Sequence, residues 1–146
     1  MPPIAPSVDI LERNLAALQA SSPRAVDLIR RALSRTDIEF IETEEGVLSA
    51  SIGTGAAARA MASRRRPLEE AAKLVETIDV GDAAAVAVLG FGVGHHVRVM
   101  AQKMRLTGVV FIFEPDVALL RTVLERIDHS GWIRGHNVCL LTDAED

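Results

Sequence analysis

Residues 84–116, AAVAVLGFGVGHHVRVMAQKMRLTGVVFIFEPD, decide how this chain folds. Ala84–Leu89 is a continuous apolar run, which predicts a parallel strand covered on both faces. Gly90, Gly92 and Gly94 follow at alternate positions. From about His95 to Met104 the residues Val97, Val99, Met100 and Met104 recur at helical spacing, and a second apolar run, Val109–Phe113, stops at Glu114. The order is strand, glycine loop, helix, strand, acid. Glycine tolerates positive φ and lacks a Cβ, so such a loop brings backbone N–H groups close to a ligand or lets the helix pack tightly on the strand. Those amides and the positive end of the helix dipole favour an anion such as a phosphate. Glu114 falls 20 residues after Gly94, where a dinucleotide fold places a carboxylate for ribose hydroxyls.

The candidate ligand-binding set is therefore Gly90, Gly92, Gly94, His95 and Glu114. Against a dinucleotide fingerprint, Gly90 and Gly92 match the first two glycines and His95 stands in place of the third. Against the pattern of S-adenosylmethionine enzymes the glycine alternation fits, but Val88 stands where an acid usually precedes the loop. The competing reading is that the glycines serve only strand–helix packing. His95 and His96 are adjacent, so on a helix they point about 100° apart and cannot share a metal. One is expected to pack or cap the loop and the other to face the cleft. Asp116 reads as a helix cap, and Asp143 ends a strand on the same sheet edge. No plausible zinc constellation exists with Cys139, and no catalytic triad or carboxylate pair can be named from spacing alone.

Beyond this stretch, Val117 to about Asp128 predicts a helix with Leu119, Leu120, Val123, Leu124 and Ile127 inward, closed by Ser130-Gly131, and Val138–Leu141 predicts a third strand. The three strands make a partial Rossmann-like half, β-α-β-α-β, in spatial order 3-2-1 over residues 83–146. A complete doubly wound sheet needs more strands beyond the first. A hairpin at 38–52 could fill that place, but the expectation favoured here is that the natural chain continues past Asp146.

Upstream, Val8, Ile10, Leu11, Leu15 and Leu18 predict a first helix. Ser22 as N-cap and Pro23 at the first position start a second, with Val26, Leu28, Ile29 and Leu33 inward and an end near residues 34–36. Ile38–Ile41 and Val47–Ile52 flank Glu44-Glu45-Gly46, a hairpin signal. Residues 1–60 thus read as a small α+β unit of two helices and a β-hairpin. Gly53-Thr54-Gly55 lacks the Gly-Lys-Ser/Thr ending of a phosphate loop and reads as a turn. Residues 61–82 form a connecting helix from Pro67, with Glu69 and Glu70 at its positive end and Leu68, Ala71, Ala72, Leu74, Val75 and Ile78 apolar. Arg59, Arg64, Arg65 and Arg66 make the one basic patch, a solvated face or a partner site.

Composition bounds the rest. Hydrophobic residues make up 49% and charged residues 25%, an ordinary globular balance. A net charge of −4 argues against a general nucleic-acid binder. Aromatics are 3% with no tyrosine, so stacking surfaces for bases or sugars are scarce. A single cysteine excludes an intramolecular disulfide. Asp9 and Glu12 interrupt the N-terminus before any apolar signal region, and no window approaches the ~18 apolar residues of a membrane span, so a cytoplasmic location is expected.

Three runs, SRRRPLEEA from Ser63, GFGVGHH from Gly90 and FEPD from Phe113, resemble in that order the front portion of the motility-associated factor (Maf) glycosyltransferases. These are bacterial proteins with a domain also found in archaeal-type 6-hydroxymethylpterin diphosphokinases. The resemblance runs over about residues 35–146, by order of elements. It implies transfer of a nonulosonic acid, pseudaminic or legionaminic acid, from a CMP-linked nucleotide-sugar to Ser or Thr of flagellin. The family's catalytic domain, with its Gly-Pro-Ser motif, follows this portion and has no counterpart here. The resemblance therefore implies an N-terminal portion that is non-catalytic on its own. A methyltransferase-like nucleotide-binding domain and a non-enzymatic scaffold stay open as alternatives.

Overall fold

The structure, a computed structural model, describes residues 8–143. Its elements are helices α1 (Val8–Leu18) and α2 (Pro23–Arg31), strands β1 (Ile38–Glu42), β2 (Leu48–Ile52) and β3 (Arg59–Ala60), helix α3 (Pro67–Glu76), strand β4 (Ala85–Leu89), helix α4 (His95–Met104), strand β5 (Val109–Phe113), helices α5 (Val117–Leu124) and α6 (Ser130–Arg134), and strand β6 (Val138–Leu141). The parallel sheet has the order β4-β5-β6, so the mixed α/β class and the partial Rossmann-like order read from the sequence are present.

The hairpin is present too, with Ile38 opposite Ile52 and Glu42 opposite Leu48. Gly46 turns it at φ +75, a region that favours glycine. The sequence does not announce β3, which pairs Ser51 with Ala60 and makes a three-stranded antiparallel sheet. Gly53 to Gly55 form the turn that leads into it.

Several local expectations need correction. Ser22 does not cap α2 with its side chain; its Oγ accepts the Leu140 N–H at 2.8 Å and ties the start of α2 to β6. Helix α2 ends at Arg31 because Ala32 is extended, which turns Leu33 outward at 85% exposure. Leu74 of α3 and Ile78 just beyond its end are exposed rather than inward, and so is Ala72. Ser130-Gly131 does not merely close α5; it opens α6. The side chain of Val8 lies outside the described residues.

The most informative correction concerns β4. Its expected cover on both faces is absent: Ala85, Ala87 and Leu89 are exposed, Leu89 at 81%. The opposite face of the sheet, carrying Val110, Ile112, Val138 and Leu140, is buried against Val97, Met100, Leu120, Val123 and Leu124. Topology explains the asymmetry. Two crossovers of one hand that both step the same way along the sheet place their helices on one face. Only strands added beyond β4, with the direction of winding reversed, bring helices to the other.

Helices α1 and α2 pack on α6 and α5. Asn14, fully buried, donates to the carbonyls of Leu124 and Ile127 at 2.9 and 2.8 Å and accepts the His129 N–H at 2.8 Å. One uncharged side chain thus ends α5 and starts α6. The hairpin docks on the parallel part through Arg35, which pairs with Asp37 and with Asp116.

Candidate functional site at the carboxyl edge of the parallel sheet

The three glycines sit together at the carboxyl end of β4, and all three have positive φ: +90 at Gly90, +53 at Gly92 and +88 at Gly94. Their environments differ. A Cβ on Gly94 would fall 2.6 Å from His129 Nε2 and 2.7 Å from the Phe91 ring, so this glycine serves close packing. A Cβ on Gly92 would meet nothing nearer than His96 Cε1 at 3.8 Å.

Glu114 reaches back under the loop. Its Oε2 accepts the Phe91 N–H and its Oε1 accepts the Asp116 N–H, each at 3.0 Å, and the residue is buried. The carboxylate fastens the glycine loop to the end of β5. Gly90 N–H donates to the Phe113 carbonyl at 2.8 Å and continues the ladder into the loop. Asp116 caps α5 by accepting the Leu119 N–H at 2.9 Å, as its position predicts, and binds Arg35 at 2.5 Å. Asp143 pairs with Arg24 at 2.9 Å.

The adjacent histidines diverge. His95 is buried and turned toward the hairpin, with Nε2 at 2.7 Å from the Leu48 carbonyl. That carbonyl only accepts, so the proton is on Nε2, and Nδ1 is a buried acceptor with no hydrogen-bond partner among the described residues. Burial lowers the His95 pKa. His96 places Nε2 at 3.0 Å from the Gly90 carbonyl and closes the loop on itself.

His129 was legible only as a loop residue and turns out to be the loop's main internal support. Its Nδ1 accepts the Trp132 indole N–H at 2.8 Å, which puts the ring proton on Nε2, and Nε2 donates to the Val93 carbonyl at 2.9 Å. Phe91 meets the same ring edge-on, with centroids 5.4 Å apart. Burial first, then the nearby His95, lowers the His129 pKa to about 3. A tryptophan three residues after a histidine at a helix start was the one signal available in the sequence.

The amides of Gly92, Val93, His95 and His96 meet no acceptor among the described residues. Val93, His95 and His96 line one side of a cavity of about 310 Å³ between the loop and α3, and Met61, Glu70 and Leu74 line the other. Open amides at a helix start can receive an anion. A larger cavity of about 430 Å³ lies at the amino ends of β5 and β6, against Cys139. Open α/β sheets bind ligands at the other end. No group of three histidine, cysteine or acidic side chains suited to a metal ion occurs among the described residues.

The basic patch is engaged within the chain. Arg65 and Arg66 bind Glu44 of the hairpin turn, at 2.8 and 3.4 Å, and Arg66 also binds Glu69. Glu45, next in that turn, accepts the N–H groups of Leu68 and Glu69 at 2.7 and 3.1 Å and caps α3. Arg59 and Arg64 are exposed.

The sequence matches no protein-family model and no curated protein. Among solved structures, the fold is similar to that of the Maf glycosyltransferase from Magnetospirillum magneticum AMB-1, with a TM-score of 0.54 and 10% identity. The match covers 92% of this chain and 28% of that one. At this identity the likeness concerns the fold alone, and the chain spans little more than a quarter of that glycosyltransferase. No helix among the described residues is long and apolar enough to cross a membrane. The chain shares its mixed α/β fold with part of that Maf glycosyltransferase.

Proposed function

We propose that this chain acts as the Rossmann-like N-terminal portion of a Maf-type protein glycosyltransferase and is non-catalytic on its own. The reaction it serves is transfer of a CMP-linked nonulosonic acid to Ser or Thr of flagellin. The observation that carries the non-catalytic reading is the use of the loop's chemical groups within the chain: Glu114, His96 and His129 each hold loop backbone, and His95 holds β2. A group fastened in this way positions the loop and is not poised to move a proton on a substrate. The similar fold of a Maf glycosyltransferase supports the assignment to that class of protein.

A second reading is favoured by the amides of Gly92, Val93, His95 and His96, which meet no acceptor among the described residues, beside a 310 Å³ cavity that Val93, His95 and His96 line. Here the loop contributes main-chain donors to the phosphate of the nucleotide-sugar while other parts of the enzyme do the chemistry. The test is a ¹H–¹⁵N titration with CMP-N-acetylneuraminic acid, with S-adenosylmethionine and NAD as controls. Shifts confined to those four amides with the CMP-sugar alone support it. Silence with all three ligands removes the second reading and leaves the first. For the acceptor, reversal of the exposed Arg64 should weaken capture of purified flagellin with folding intact; unchanged capture separates this patch from the acceptor.

A further inference from the structure

We propose that the cavity at the amino ends of β5 and β6 is a second binding site, one for a small hydroxy acid with an apolar body. It lies at the end of the sheet away from the glycine loop, so nothing in it depends on a nucleotide-sugar. The void follows from side-chain size. Ala16 and Ala17 of α1, with Ala20 just past its end, contribute only methyl groups to its wall, and about 430 Å³ is left open. That volume falls within the roughly 300–1,000 Å³ of small-molecule sites. Ile133 and Val138, both buried, complete the apolar wall.

The polar groups gather in one segment, the turn from α6 into β6, and their unused atoms complement such a ligand. Arg134, in the last turn of α6, meets no carboxylate among the described residues, and none of these lines the cavity with a carboxylate. Its guanidinium is therefore open to a ligand carboxylate, which it can hold through two parallel N–H groups. His136 donates from Nδ1 to the Trp132 carbonyl at 2.7 Å, because that oxygen only accepts, and Nε2 of the neutral ring keeps a free lone pair. Asn137 donates from Nδ2 to the Leu106 carbonyl at 3.3 Å, which leaves Oδ1 as another acceptor. Two neutral acceptors beside one cation select a hydroxyl next to a carboxylate. An ammonium group in the same place would lack a carboxylate to pair with, so an amino acid is the poorer ligand.

Cys139, the chain's single thiol, lines the same cavity and is partly exposed, so its reactivity reports on occupancy. Alkylation of the whole chain by iodoacetamide is followed by mass spectrometry, with and without millimolar leucic acid, the hydroxy-acid counterpart of leucine. Labelling should slow by about fivefold or more, since a thiol beneath a ligand is shielded from its reagent. Leucine, and isovalerate, which lacks the hydroxyl, should each need about tenfold higher concentration for the same protection. Isoamyl alcohol, without a carboxylate, should give none.

Arg134→Gln, at an exposed position, should remove the protection and leave the ligand-free labelling rate unchanged. Ala20→Leu fills the void with Arg134 in place and should also remove the effect of leucic acid. An unchanged labelling rate with leucic acid overturns the inference. So does equal protection in Arg134→Gln, or equal protection by isoamyl alcohol. None of these results bears on CMP-sugar binding at the glycine loop.

Discussion

Replacing Glu114 distinguishes a loop fastener from a ribose ligand. In Glu114→Ala the Phe91 N–H, buried beneath the loop, loses its acceptor, and so does the partly exposed Asp116 N–H. A buried unsatisfied donor that had faced a charge costs about 2–3 kcal/mol, and one that water can reach about 1 kcal/mol, for a total of roughly 3–4 kcal/mol. With a urea slope of about 2 kcal/mol/M the unfolding midpoint should fall by roughly 1.5–2 M. Glu114→Gln keeps one acceptor oxygen but turns an NH₂ group toward the other amide, so its loss should be about half. The assay is urea unfolding followed by circular dichroism, with no ligand present. If the midpoint of Glu114→Ala stays within about 0.3 M of the parent, the carboxylate is not holding the loop, and its place at the strand end needs a ligand to explain it.

Other consequences are more local. Gly94→Ala combines a left-handed backbone with a Cβ 2.6 Å from His129 and should cost about 2–5 kcal/mol, whereas Gly92→Ala meets no close atom and should cost about 1–2 kcal/mol. Asn14→Leu strands two carbonyls and the His129 N–H and should lower stability by about 3 kcal/mol. His129 has an ordinary pKa of 6.5 unfolded and about 3 folded, so between those values the unfolded chain binds the extra proton. Its contribution is complete above pH 6.5 and falls by about 1.4 kcal/mol per unit as the pH drops toward the folded value. Urea midpoints at pH 7, 6 and 5 should show that slope, flattened in His129→Gln. Glu45→Ala uncaps α3 and should cost about 1 kcal/mol, read from thermal unfolding.

The parallel sheet was legible because apolar runs, glycines and helical spacing agree from Ala84 to Leu141, and local consistency of that kind seldom misleads. The hairpin was legible for the same reason around Gly46. What escaped was tertiary. A run as short as Arg59-Ala60 carries no strand signal until β2 offers an edge. Ser22 satisfies the usual cap pattern, yet its hydroxyl serves a strand 118 residues away. Continuous apolarity in β4 suggested two covered faces, but periodicity cannot tell which neighbours are present to do the covering. At the site, spacing located Gly90, Gly92, Gly94, His95 and Glu114 near one another. It could not reveal that Glu114 and His95 point into the protein, or that His129 and Asn14 complete the support from distant elements.

A transfer assay tests the central claim most directly. The purified chain is incubated with CMP-N-acetylneuraminic acid and flagellin, and release of CMP is followed with time. No release above the protein-free rate is expected, because Glu114, His96 and His129 are committed to the loop's backbone and His95 to β2. Release that scales with the amount of chain and disappears in Glu114→Gln would contradict the account and return that carboxylate to the chemistry.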